Sequence, residues 1–150
     1  MAEVSIQNLT RRPLPSGLRV FSEIANDVIP GWDISLAFVG SARAKALNKK
    51  LRNKDYVPNV LSYALGKKSG EIIICPNEAQ KQAHDLKLST HDFLLLLFIH
   101  GLLHLKGWRH SVRMEECEQK LIAKYGSAHS NRHRHRHVPG KNGRRRGTLR

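Results

Sequence analysis

Acidic residues are scarce in this chain: 12 Asp and Glu stand against 26 Lys and Arg in 150 residues, a net charge of +14 with nine histidines counted as neutral. Cysteine is scarcer still. Two thiols, Cys75 and Cys117, are too few for the disulfide framework of a small secreted domain, and both are expected as buried thiols in a reducing compartment. Long apolar runs are missing as well. The longest, Phe93 to Ile99, is seven residues, whereas a membrane-spanning helix needs about 20, so no membrane helix is expected. The opening Met1-Ala2-Glu3-Val4-Ser5 has neither the basic start nor the apolar stretch of a secretory signal, and a cytoplasmic location is the expectation. There is no internal repeat.

The positive charge is unevenly placed. Residues 129–150 hold eight basic residues and four histidines with no acid, leaving 18 basic against 12 acidic residues before them. The body therefore carries +6 and the C-terminal stretch +8. Residues 127–150, rich in Arg, His, Gly and Ser, lack the apolar surface that would offset the entropy of ordering them, and are expected to form a disordered tail. Its arginines suit salt-sensitive contact with nucleic-acid phosphates. Metal storage on His133, His135 and His137 is disfavoured by the arginines between them. With 40 % apolar residues, residues 1–126 can build one domain with a sizeable core.

Within that body the hydrophobic period alternates between strand and helix. Val4 and Ile6 read as a short strand, and Leu18, Phe21, Ile24, Ala25 and Val28 as a helix stopped by Pro30-Gly31. Ile34, Leu36 and Phe38 mark one face of a second strand, followed by a helix capped by Ser41. Val60 to Tyr63 and Ile72 to Cys75 are two more strands, separated by a polar turn from Gly66 to Gly70. Three helices follow, with expected caps at Asn77, at Ser89 in a capping box closed by Asp92, and at Ser111, the last stopping at Gly126. The order predicts an α+β fold, a mixed sheet of about four strands packed with about five helices.

The chemistry concentrates in His100-Gly101-Leu102-Leu103-His104-Leu105-Lys106-Gly107-Trp108-Arg109-His110. Four residues apart on a helix, His100 and His104 lie one above the other. Gly107 lets the chain double back, so His110 can join them. Three imidazoles with a fourth position open is the layout of a catalytic zinc site, although imidazole also accepts nickel, copper and iron. Left without a ligand, histidines in so apolar a helix would be uncompensated polar groups. The spacing coincides with the metzincin signature H-E-x-x-H-x-x-G-x-x-H except that Gly101 stands where the protease keeps its general base. Peptide hydrolysis is disfavoured on that ground.

The segment His100 to His110 resembles the H-G-x-L-H-L-x-G-[YW]-x-H signature of the YbeY family of metal-dependent endoribonucleases. Leu47-Asn48 with Leu51 to Tyr63 resembles the family's L-N-x-x-[YF]-R-x-K-D-x-x-T-[DN]-V-L-S-F segment, and Gly70 to Cys75 its G-D-I-x-I-C strand. The resemblance covers residues 1–126. It implies one zinc ion on His100, His104 and His110, with Arg52 as the functional arginine of a basic cleft and Lys54 beside it as a further substrate contact. It also implies cleavage of single-stranded RNA in 16S rRNA 3′-end maturation and ribosome quality control, with the small ribosomal subunit as partner. Three positions depart from the pattern. Arg109 replaces the usual Asp before the third histidine, Tyr63 replaces Phe and Pro58 replaces Thr. Two other readings stay open: a non-catalytic, zinc-containing RNA-binding factor of the ribosome, which Arg109 would suit, and a metalloprotease-like hydrolase.

Overall fold

A computed structural model describes residues 1–14 and 17–127. Nine elements follow one another: β1 (Glu3–Asn8), α1 (Arg19–Val28), β2 (Asp33–Phe38), α2 (Ser41–Arg52), β3 (Val60–Gly66), β4 (Ser69–Ile74), α3 (Pro76–Leu86), α4 (Thr90–Leu105) and α5 (Val112–Tyr125). This is the α+β arrangement read from the sequence. The strands form one mixed sheet in the order β1-β2-β4-β3. β1, β2 and β4 run parallel, and β3 closes the edge as the antiparallel arm of a hairpin with β4.

Side chains alternate across a strand, and the sheet uses both faces. Ile34, Leu36, Phe38, Val60, Ile72 and Ile74 enter the main core, which α1, α3, α4 and α5 complete. Ala37, Val39, Leu61, Ile73 and Cys75 enter a smaller core under α2, capped by Ala44 and Leu47. At the centre lies α4. Twelve of its sixteen residues are buried, because it packs against β3, β4, α1, α3 and α5 at once. Each large side chain it buries, such as Phe93, Leu95 or Phe98, stabilises the fold by about 1.5–3 kcal/mol. That burial explains its near-uniform apolarity. Among the described residues no single helix is long and apolar enough to cross a membrane.

Local signals were used in unexpected ways. Ser89 and Ser111 cap α4 and α5 as their positions predict, accepting from the backbone N–H of Asp92 at 3.0 Å and of Met114 at 3.1 Å. The capping box is only half built, since the buried Asp92 carboxylate turns to Ser127 and accepts from its backbone N–H at 3.0 Å and its hydroxyl at 3.1 Å. Ser41 and Asn77 do not cap. Gly40 and Cys75, both extended, hold those positions, and Asn77 Nδ2 donates to Ser41 Oγ at 3.1 Å. Pro76 occupies the first helical position of α3, where its missing N–H costs nothing. The polar turn shrinks to Lys67-Lys68, because Gly66 and Gly70 are drawn into the hairpin. Both cysteines are free, Cys75 buried and Cys117 half-buried. Ser127, the first residue of the expected tail, is thus tied to the body; residues 128–150 lie outside the described ones.

Candidate metal centre

The last turns of α4 and the loop after it build a three-histidine cluster. His100 and His104 stand one turn apart, with Nε2 atoms 3.1 Å from each other. α4 ends at Leu105, and Gly107 takes φ +99°, a left-handed conformation that side chains disfavour. The backbone N–H of Trp108 then donates to the Leu103 carbonyl at 3.0 Å, folding the chain back. This turn delivers His110, whose ring centroid lies 5.0 Å from that of His100 and 4.6 Å from that of His104. One nitrogen from each ring falls within 4.8 Å of the other two. His100 is buried, His104 half-buried and His110 exposed, so the cluster leads from the core to solvent.

The other ring nitrogens are engaged. His100 Nδ1 lies 2.6 Å from Glu118 Oε2 on α5, with both side chains buried, and His104 Nδ1 lies 3.0 Å from the Trp108 carbonyl oxygen. Each acceptor fixes a tautomer with the proton on Nδ1. With Nε2 unprotonated, both rings can turn a lone pair to one cation held between them, the two atoms being 3.1 Å apart. The residues therefore fit a metal ion. A carboxylate or carbonyl behind a ligating histidine is the usual device for orienting it and raising its basicity.

Gly101 faces the sheet. A Cβ there would lie 3.1–3.3 Å from three side-chain atoms of Ile72, closer than packed atoms normally come. A side chain at this position would press on Ile72, which would have to give way for it. The protease's general base is absent from the sequence, and packing against the sheet disfavours a side chain there.

Arg52 and Lys54 belong to the end of α2 and the loop after it. Arg52 ends α2, on the opposite face of the sheet from α4, and its Nη1 donates to Asn48 Oδ1 at 3.3 Å and to the Tyr56 hydroxyl at 3.2 Å. Asn48 is fully buried and its Nδ2 donates to the Tyr56 carbonyl at 3.0 Å, so the α2–β3 loop and Arg52 are held together. Asn53 ends the helix in the left-handed region, and Lys54 follows it, exposed. The histidines come together, whereas Arg52 is tied to Asn48 and Tyr56 at the end of α2.

A model of the family described as Endoribonuclease YbeY matches residues 6–127. The chain belongs to the YbeY family. It is similar to proteins named Endoribonuclease YbeY from Bordetella avium (34 % identity over 106 residues, 64 % of this chain and 66 % of that protein) and from Helicobacter pylori strain 26695 (36 % over 121 residues, 78 % and 85 %). In fold it is similar to the solution structure of TM1509 from Thermotoga maritima, with a TM-score of 0.62 at 23 % identity, covering 93 % of this chain and 99 % of that one.

Glu118, which the structure brings to His100, lies outside the motif that marks the histidines. The signal was present: Met114, Glu118 and Ile122 recur every four residues and are the buried positions of α5. An acid in the middle of an apolar stripe needs a buried partner, and His100 is that partner. Arg109, which stands where the resemblance leads one to expect Asp, is exposed on the turn beside the cluster. Trp108 next to it is half-buried beneath two cations, with the Arg113 guanidinium 5.0 Å and the Lys106 ammonium 5.8 Å from its ring centre.

Proposed function

We propose that this YbeY-family protein is a metal-dependent endoribonuclease that cuts single-stranded RNA, with one zinc ion held by His100, His104 and His110. On this reading it works in the cytoplasm on ribosomal RNA of the small subunit, in 3′-end maturation and ribosome quality control. The observation that carries the proposal is the convergence of three imidazole nitrogens, two of them on rings whose Nδ1 atoms lie 2.6 Å from Glu118 and 3.0 Å from the Trp108 carbonyl oxygen.

Zinc bound there supplies a Lewis acid that polarises a phosphodiester oxygen and lowers the pKa of water towards about 7. The protein's own groups do the rest. Glu118 holds the Nδ1 proton of His100, so the lone pair stays aimed outward. The exposed edge at His110 admits the strand. Arg109, Arg113 and Lys106 surround that edge with positive charge, which suits the phosphates on either side of a scissile bond. Arg52, braced by Asn48 and Tyr56, offers a planar fork of donors that fits a phosphate better than an ammonium does, with Lys54 beside it.

The test combines metal analysis with cleavage of single-stranded RNA and of casein, in wild type and His104→Ala. RNA cleavage that disappears together with the metal is expected. Casein cleavage would replace the reading with a hydrolase of peptides, and bound metal without RNA cleavage would replace it with a non-catalytic RNA-binding factor. Arg52→Ala should abolish RNA cleavage and keep the metal; loss of metal in that variant would remove Arg52 from the substrate's side of the reaction.

A further inference from the structure

A second concavity opens at the other end of α4. The loop after β1, the first turn of α2, the start of α3 and residues Thr90 and Leu94 of α4 enclose a crevice of about 650 Å³, the size of a small-ligand site. Three arginines line it: Arg11, Arg12 and Arg43, joined by the hydroxyls of Thr10 and Ser41. No acid is among the lining residues, and none of the three guanidinium groups has an ion-pair partner among the described residues.

The loop that carries two of these arginines is knitted in place. Asn8 Nδ2 donates to the Arg12 carbonyl at 2.9 Å, Thr10 Oγ1 donates to Asn8 Oδ1 at 2.6 Å, and the Arg12 N–H donates to Thr10 Oγ1 at 3.2 Å. The remaining wall is apolar, built by Leu9, Leu14, Val39 and Leu94. Guanidinium groups that line one hollow without an ion-pair partner repel one another, and an anion there relieves that repulsion with charge-assisted hydrogen bonds. An apolar wall beside the charge suits a ligand with a flat, weakly polar part. That combination describes a nucleotide.

We propose that this crevice holds a nucleotide unit of single-stranded RNA, its phosphate on Arg12 and Arg43 and its base against the apolar wall. The assignment rests on the endoribonuclease reading and adds to it a second grip on the substrate. Leu94 and Thr90 precede His100 and His104 by six and fourteen residues, so the crevice lies about 9–21 Å along the helix from the metal centre at 1.5 Å per residue. Stacked nucleotides at about 3.4 Å each cover that axial distance in roughly three to six units, and a strand passing over the surface around the buried helix needs more. A strand cut at the histidines can therefore be anchored here.

The experiment measures binding of a 2′-O-methylated uridine dodecamer to the full-length, metal-loaded protein across a salt series. Binding is read without cleavage, so a protein that binds here but does not cut fails the nuclease reading alone. Arg12→Ala/Arg43→Ala should weaken binding about tenfold at low salt and flatten the slope of log affinity against log salt by about 0.7 per phosphate released. Arg19→Ala/Lys120→Ala removes the same two charges from exposed positions on α1 and α5 and should leave affinity within about twofold. Equal weakening by both double variants would overturn the site in favour of general attraction. Uridine monophosphate that binds the wild type and not the crevice variant, with dodecamer binding unchanged, would overturn it in favour of a free nucleotide.

Discussion

Two residues that look incidental in the sequence, Glu118 and Gly101, decide what the histidines can do. Glu118 is carried into the core because Met114 and Ile122, one turn to either side, must be buried. A buried carboxylate without a partner costs several kcal/mol, and its bond to His100 Nδ1 offsets that cost while orienting the imidazole. Glu118→Ala should therefore lower metal affinity by about 10- to 100-fold, measured by chelator competition with the fold monitored separately. An unchanged affinity would leave Glu118 a packing role only. Gly101 is governed by the approach of α4 to β4. Adding a Cβ against Ile72 should cost about 1–3 kcal/mol of overpacking, against about 1 kcal/mol recovered from the better helix propensity of Ala. In denaturant titrations Gly101→Ala should thus lose up to about 2 kcal/mol. Combined with Ile72→Val it should lose less than the sum of the two, whereas strict additivity would mean that the new methyl never meets Ile72.

At the scale of elements, α5 is fastened at both ends. Its first half reaches the metal centre through Glu118, and its last turn meets α1, where Asp27 accepts from Lys124 Nζ at 3.0 Å and from the Tyr125 hydroxyl at 2.8 Å. Hydrogen bonds from Lys124 and then Tyr125 hold the Asp27 carboxyl below its usual value of 3.8. A depressed folded-state pKa means stability that is present above the unfolded value and lost as pH falls through the folded one. Melting temperature should therefore drop less between pH 7 and pH 3 in Asp27→Asn than in wild type; parallel curves would show that the α1–α5 contact contributes nothing. The pair is partly exposed, so the effect is small and screened by salt. The elements themselves were legible wherever periodicity and burial coincide: Ile34, Leu36 and Phe38 on one face of a strand, and the run from Phe93 marking the central helix. Caps were less legible. Ser41 and Asn77 have the right chemistry, but backbone extension at Gly40 and Cys75 moved each helix start by a residue or two. The three histidines were legible because their spacing is local. The carboxylate behind them was not read, since it arrives from another helix through tertiary packing.

For the whole molecule, the positive charge concentrates just beyond Ser127, the last described residue. Residues 129–150 hold eight of the 26 basic residues and no acid, more than half of the net +14. An equal number of phosphates neutralised by them would set a steep salt dependence, about 0.7 in slope per phosphate on a single strand. Removing this stretch should weaken RNA binding at low salt and matter progressively less as salt rises. Where the cut is made decides whether the experiment reads charge alone. Ser127 donates twice to Asp92, a carboxylate buried at the start of the central helix. A chain ending at Ser127 keeps that partner. A chain ending at Gly126 strands a buried acceptor, which costs about 1–3 kcal/mol, and it should unfold earlier while losing the same RNA affinity. Equal melting of the two truncations would show that Asp92 finds another partner. A difference in their RNA affinity below the melting range would show that Ser127 belongs to the binding surface as well as to the fold.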